Sequence, residues 1–298
     1  MVGSAGPWIV GSTFGAAATG TAIGWASTAT GKGDDSVATT VPAGLLEGKR
    51  ALVFGVANKH SIAWAIARAL DAAGAELAIA YQDQRLGERV QKLVPELRRP
   101  PLLLECDVAF DPQIDAAFAT VARHWDRLDV LVHSLAYAPK QALENPFVET
   151  TREDFRIALD VSAYSLVALA RAARPLMKEG GSILTMTYYG AQKAVPNYNV
   201  MGVAKAALEA CVRYLAADLG PAGIRVNAIS AGPINTLAAR GVRNLTDFIK
   251  THAERSALRR NVTQEDVAHA ALFLASDLAA SITGEVLFVD AGYNVMGV

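Results

Sequence analysis

A phenol and an ammonium group, Tyr198 and Lys205, stand seven residues apart within the segment 188–205. On a single helix that spacing is close to two turns, so both groups would share a face. Hydride transfer asks two things of a protein: a nicotinamide held in position, and a group that stabilises charge arriving on the substrate oxygen. Lys205 suits both. Its ammonium can bind ribose hydroxyls, and its positive field favours ionisation or strong hydrogen bonding by a nearby phenol. Tyr198 is the phenol on its face. Four residues before Lys205 stands Met201, which can neither donate nor accept a proton, and seventeen before it stands Tyr188. If the hydride goes to a carbon–carbon double bond conjugated to a carbonyl, charge develops on an oxygen farther from the hydride acceptor. A phenol set back by one turn could meet that oxygen. The plain alternative for a Tyr and a Lys on a helix is packing and surface.

Such a pair needs a scaffold, and the chain from residue 49 onward alternates short apolar runs with helical stretches. The runs at 50–54, 76–81, 102–106, 128–133, 182–187, 224–229 and 285–290 read as strands, and 61–73, 111–125, 153–177, 198–219 and 264–276 as helices. Apolar strands without polar alternation imply a parallel sheet covered on both faces. Strands separated by helices imply βαβ crossovers. The expected fold is α/β: one doubly wound, Rossmann-type domain with a seven-stranded parallel sheet flanked by helices. No internal repeat is visible.

The strand ends carry a second group of candidates. The first strand-to-helix turn, residues 55–63, begins with Gly55 and holds Ser61 and Ile62. It has no G-x-G-x-x-G pattern, yet a helix starting there can offer backbone N–H groups and its dipole to a pyrophosphate. The second strand ends at Gln82 and Asp83, where a dinucleotide fold reads the adenosine ribose. A neutral amide and a carboxylate, with no adjacent basic residue to cradle a 2′-phosphate, favour NADH over NADPH, although Arg85 is within reach. A solvated turn is the plain alternative for Gln82 and Asp83. After the third strand, Asp107 can bind the adenine amino group while Val108 packs on the ring. After the fourth, the small residues of 134–139, around Leu135, let backbone approach a cofactor. All of these point to one crevice at the carboxyl ends of the strands.

Composition narrows the partners. The chain has 298 residues, 52% of them hydrophobic, and a net charge of −1. That length can bury one large core. That charge gives no general reason to expect nucleic acid or an anionic membrane surface. Two cysteines, Cys106 and Cys211, are too few for a disulfide framework and read as reduced, cytoplasmic residues. The five histidines are scattered, so no metal site is expected. Residues 1–31 carry no charged side chain, and two G-x-x-x-G spacings (Gly11/Gly15 and Gly20/Gly24) would suit membrane helix packing in a more apolar segment. Gly, Ser and Thr dilute this one, it barely reaches spanning length, and it lacks a positive n-region. Residues 1–45 are expected to be a disordered extension, with a peripheral or targeting role and a membrane anchor as the alternatives, and 46–298 to be the catalytic domain.

In most short-chain dehydrogenases a Tyr occupies the place of Met201 and a Ser the place of Tyr188. Altered at both, this chain instead resembles the NADH-dependent enoyl-[acyl-carrier-protein] reductases of bacterial fatty acid synthesis. The likeness runs from about residue 45 to the C-terminus, and segments 55–63, 81–82, 106–108, 196–202 and 230–234 carry it. It implies a homotetramer and a trans-2-enoyl thioester substrate delivered by acyl-carrier protein. Tyr198 would hydrogen-bond the thioester carbonyl and enolate, Lys205 would hold the nicotinamide ribose, and Tyr188 and Ala138 would line the acyl pocket. Gly55, Ser61, Ile62, Gln82, Asp107, Val108, Leu135, Ile234 and Thr236 would contact the cofactor. Ala136 and Asn235 depart from residues common in the family, Gly and a basic side chain respectively. A carbonyl reductase acting on 3-oxo thioesters or small ketones is the alternative on the same fold.

The substrate loop, 233–260, is unusual in its charge. From Thr236 to Arg260 it has six basic residues (Arg240, Arg243, Lys250, Arg255, Arg259, Arg260) against two acidic ones, Asp247 and Glu254. An acidic carrier protein would be steered by such a patch. An ordinary solvated lid is the alternative.

Overall fold

Strands that are apolar on both faces need cover above and below, and the computed structural model, which describes residues 44–236 and 245–297, provides it. Strands β1 (Arg50–Phe54), β2 (Glu76–Tyr81), β3 (Leu102–Glu105), β4 (Val130–His133), β5 (Gly181–Thr187), β6 (Ile224–Ala231) and β7 (Val286–Val289) form one parallel sheet. Their spatial order is β3-β2-β1-β4-β5-β6-β7. The winding direction reverses between β1 and β4, so a crevice opens at their carboxyl ends.

The pleat divides each strand between two cores. Ala51 and Val53 of β1 pack with helices α1 (Ile62–Ala72) and α9 (Gln264–Ala275). Leu52 and Phe54, one residue out of phase, pack with α3 (Asp111–His124), α6 (Ser165–Ala173) and α7 (Asn199–Leu219). Ile66 on one side and Leu169 on the other are fully buried, each stabilising the fold by about 1.5–3 kcal/mol. The remaining helices are α2 (Gln84–Gln91), α4 (Lys140–Glu144), α5 (Arg152–Leu159) and α8 (Leu245–Arg255). Among the described residues no helix is long and apolar enough to cross a membrane.

β1 and β2 have the bounds their apolar runs predict. β6 extends two residues past the expected 229, because Ser230 and Ala231 still pair with Thr187 of β5 and with Phe288 and Val289 of β7. Ladder bonding there is indifferent to the polar side chain. The helix expected over 153–177 is a correction: α5 and α6 are joined by a π-helical turn, Asp160–Tyr164, and a 3-10 turn, Arg174–Leu176, closes the run. Two hydroxyls accompany the wide turn. Ser165 Oγ donates to the Val161 carbonyl at 2.7 Å, and Ser162 Oγ bonds both the N–H and the carbonyl of Tyr137 at 3.0 Å. At the far end Pro175 has no N–H to continue the ladder. α2 was not foreseen; only Gly87 and Val90 of its eight residues are buried, so its apolar signal is thin.

Candidate active site

The crevice is built from close backbone approach. Gly55 follows β1 with a left-handed backbone (φ +102°), and a Cβ there would lie 2.1 Å from the Ser134 carbonyl oxygen. No other residue lets the β1 and β4 loops meet. Ser61 is the N-cap of α1, but its hydroxyl turns outward from the helix to accept the N–H groups of Ala57 and Asn58, both at 3.1 Å. This pins the loop and leaves the N–H groups of Ile62 and Ala63 at the open helix end, where the first turn has no acidic residue.

At the next two strand ends Gln82 donates to Asp107 Oδ2 at 3.0 Å, so two of the expected cofactor residues are brought together. Asp107 also accepts the Ala109 N–H, and its own N–H is held by Gln113 at 2.7 Å. Val108 is half-buried and packs against the core beside it. Asp83 is the N-cap of α2 and accepts the Leu86 N–H at 2.8 Å, which is a structural role. Arg85 is exposed, 3.9 Å from the Asp83 carboxylate.

Tyr198 does not lie two turns up the helix face from Lys205, as the spacing predicts. It precedes α7 as its N-cap, between Asn197 (φ 61°) and Asn199 (φ 44°). Two left-handed residues, one on each side of Tyr198, turn the chain sharply into the helix. Asn199 secures the bend by donating to the carbonyls of Leu143 and Asn145 at 3.1 and 2.8 Å. The Tyr198 ring meets Tyr188 edge-on with centroids 4.9 Å apart. It also covers Gly190, where a Cβ would fall 2.5 Å from its Cδ1. Met201 is buried in a small cluster with Ala138, Ala142 and Ala204, against which Tyr198 packs. The residue four before the lysine is therefore filler, and Ala138 is brought beside the phenol.

The electrostatics correct a second expectation. Lys205 is buried and its Nζ donates to the Met186 carbonyl at 2.7 Å and to the Leu135 carbonyl at 3.5 Å. Burial lowers its pKa to about 8, opposed by the Glu209 carboxylate. Tyr198 shows no lowering from this ammonium; burial, and then Tyr188, push its phenol well above the ordinary range. Burial likewise raises Tyr188 to about 12. Both phenols are protonated donors at neutral pH.

Several polar side chains beneath the site were not singled out from the sequence. His133 is fully buried, with Nδ1 2.8 Å from Thr185 Oγ1 and Nε2 2.8 Å from Ser165 Oγ. Because Ser165 gives its only hydroxyl hydrogen to Val161, it must accept from Nε2–H, and Nδ1 then accepts from Thr185. Burial, then the Lys205 charge, lowers the His133 pKa to about 3, so the ring stays neutral. Thr187 donates to the buried Glu209 carboxylate at 2.8 Å. The available signal was a His, two Thr and a Glu at positions that the strand and helix patterns assign to the core.

On β6's far side Ile234 is buried and its carbonyl accepts the Thr236 N–H at 2.8 Å. Arg240 and Arg243 lie outside the described residues, as do residues 1–43. Of the other basic loop residues, Lys250 lies 4.0 Å from Glu254, Arg259 donates to the Glu254 carbonyl, and Arg260 pairs with Asp266 at 2.8 Å. The patch is partly neutralised within the chain.

The likeness seen in the motifs extends to the whole fold. The family pattern described as "Enoyl-(Acyl carrier protein) reductase" matches residues 55–294. The NADH-dependent enoyl-[acyl-carrier-protein] reductase FabI of Nostoc sp. is 55% identical over 255 residues, covering 85% of this chain and 98% of that protein. The crystal structure of the Anaplasma phagocytophilum enoyl reductase with NAD superimposes with a TM-score of 0.83 at 47% identity, covering 86% of this chain and 97% of that one. The Bacillus cereus enoyl reductase with NADP+ and an indole naphthyridinone gives 0.84 at 49% identity, covering 85% and 99%. This chain belongs to the enoyl-(acyl carrier protein) reductase family.

Proposed function

We propose that the chain reduces the carbon–carbon double bond of trans-2-enoyl thioesters carried on acyl-carrier protein, the last reductive step of fatty acid elongation, with NADH as reductant. One observation carries the reading: the place four before Lys205 is filled by buried Met201, while a protonated Tyr198 stands at the helix entrance against Tyr188.

The residues present fit a dinucleotide. The open end of α1 at Ile62 and Ala63 suits a pyrophosphate, with Gly55 and Ser61 shaping the loop. Gln82 and the Asp107–Val108 turn suit the adenosine end, and Leu135, Ile234 and Thr236 the nicotinamide side. An ammonium has three donors; Lys205 aims two at carbonyls, leaving one for ribose hydroxyls. The Asp83 carboxylate at the end of β2 disfavours a 2′-phosphate, so NADH is preferred to NADPH.

Bound NADH supplies the hydride. Tyr198 donates a hydrogen bond to the thioester carbonyl and holds the charge that gathers there as enolate until the α-carbon takes a proton from solvent. Its raised pKa keeps it a donor throughout. Tyr188 and Ala138 wall the acyl group, and Lys205 keeps the ribose oriented. The working enzyme is read as a cytoplasmic homotetramer; Phe155, Tyr164 and Tyr214 are exposed along α5, the π turn and α7 and offer an apolar face for a second copy. Light scattering of purified protein checks that state.

The test of activity follows NADH absorbance with crotonyl-coenzyme A and acetoacetyl-coenzyme A in parallel. Oxidation with the enoyl thioester alone is expected, and turnover of the oxo thioester instead would establish a carbonyl reductase. For carrier docking, Arg240→Glu with Arg243→Glu is expected to raise KM for carrier-bound substrate and spare the coenzyme A thioester. Equal effects on both would reject the patch.

A further inference from the structure

Glu209 lies four residues after Lys205 on α7, one turn along the same face, and is buried at 7% exposure. Its carboxylate accepts the Thr187 hydroxyl at 2.8 Å, while Lys205 Nζ is 2.7 Å from the carbonyl of Met186, the residue before Thr187. The last two residues of β5 are thus tied to α7 by an acid and a base. Arg213 is hydrogen-bonded to the backbone carbonyl of Glu209 at 3.1 Å, not to its carboxylate. A buried carboxylate is costly without an opposite charge nearby, and the buried ammonium of Lys205 is in the same position. The two form no direct ion pair, and Glu209 acts on Lys205 through its field from one turn along the helix.

We propose that Glu209 is a positioning residue for the reductase reaction, holding Lys205 in its charged form and fixing β5 against α7 through Thr187. The inference rests on the reading of Lys205 as the residue that holds the nicotinamide ribose. The titratable groups that interact with Lys205 are His133 on β4 and Glu209 on α7, while Tyr188 after β5 and Tyr198 before α7 pack on each other. Asp160 of the π turn, packed against α7, is engaged with Arg156 at 4.0 Å. His133 is neutral and both phenols are protonated near neutral pH, so Glu209 is the one of these groups that brings negative charge to Lys205. Burial alone brings Lys205 toward losing its proton, and Glu209 acts in the opposite sense.

Two variants separate charge from anchorage. Glu209→Gln keeps an acceptor for Thr187 but removes the charge; Thr187→Val removes the bond and keeps the charge. For Glu209→Gln the basic limb of the kcat/KM profile is expected to move down by about one pH unit. Activity falls about fivefold at pH 8 and recovers nearly fully at pH 6. Thr187→Val is expected to lower activity by a similar factor at every pH with the limb unmoved. A carbon-13 NMR titration of lysine-labelled protein, with the Lys205 signal assigned by its loss in Lys205→Arg, reads the same coupling without turnover. A Lys205 titration unmoved by Glu209→Gln, or a Thr187→Val limb displaced as far as that of Glu209→Gln, overturns the proposal. A displaced titration with an unmoved activity profile supports the pairing and faults the assigned role of Lys205 instead. Should Glu209→Gln fail to fold, Glu209→Asp keeps the charge while shortening the side chain, and a displaced limb there counts against the proposal.

Discussion

Lys205 and Tyr198 are seven residues apart and belong to one proposed reaction, yet they occupy opposite kinds of place. Lys205 sits inside a long helix, buried, with two carbonyls bonded to it and the field of the Glu209 carboxylate acting on it. Tyr198 sits before the helix begins, half-buried, held by a bend of two left-handed residues and by ring contacts with Tyr188 and Gly190. The first is a charge fixed by regular structure; the second is a neutral donor aimed by an irregular one. The difference teaches that a tyrosine displaced along the sequence need not be displaced along a helix. What changes is the element that carries it, and with it the direction of approach.

The sharpest break of that contrast is Lys205→Ala. It removes the proposed ribose contact and leaves the carbonyls of Met186 and Leu135 without their donor, so kcat/KM with an enoyl thioester should fall by about a thousandfold or more, with NADH binding weakened in a fluorescence titration. Tyr198→Phe keeps the ring packing and removes only the donor. A loss of about a hundredfold, in kcat and not in NADH affinity, is expected; an equal loss of cofactor binding would mean the two residues do not divide their duties. Gly190→Ala acts on aim alone. Its methyl meets the Tyr198 ring at 2.5 Å, so turnover should fall about tenfold, with a stability loss of about 1–3 kcal/mol by thermal unfolding.

The mildest test concerns the floor under Lys205. The His133 pKa is lowered from 6.5 to about 3 in the folded chain, so the unfolded chain takes up that proton first. The stability this neutral ring contributes is complete above about pH 6.5 and is lost as pH falls toward 3. His133→Gln should flatten the acid limb of denaturant-derived stability by one proton's slope while leaving turnover at pH 7 within about threefold. An unchanged slope would mean the ring is not held neutral.

Much of the scaffold was legible because burial leaves a linear trace. β1 and β2 are unbroken apolar runs of the length a covered strand needs, and Gly55 marks the turn that follows. The crevice candidates Gln82 and Asp107 are strand-end residues that topology alone brings together. Other features left no such trace. The bend at Asn197–Asn199 depends on carbonyls of Leu143 and Asn145, more than fifty residues away, so periodicity placed Tyr198 inside the helix and not at its cap. Lys205 was expected to act on the phenol, but two of its three donors are claimed by backbone carbonyls, which have no sequence signature. Asp83 looked like a ribose ligand because a helix too polar to be seen began just after it.

The π turn at Asp160–Tyr164 has a consequence for how this region can vary. Successive residues of an α-helix are rotated by about 100°, so one extra residue in a wide turn shifts the phase of everything after it. The turn is a dial set between α5 and α6: with it, Ser165 comes round beneath His133 while the α5 residues keep their outward heading. Deleting a single residue there would turn α6 by about a quarter of a revolution and take Ser165 away from the ring it accepts from, though no residue of the crevice had been altered.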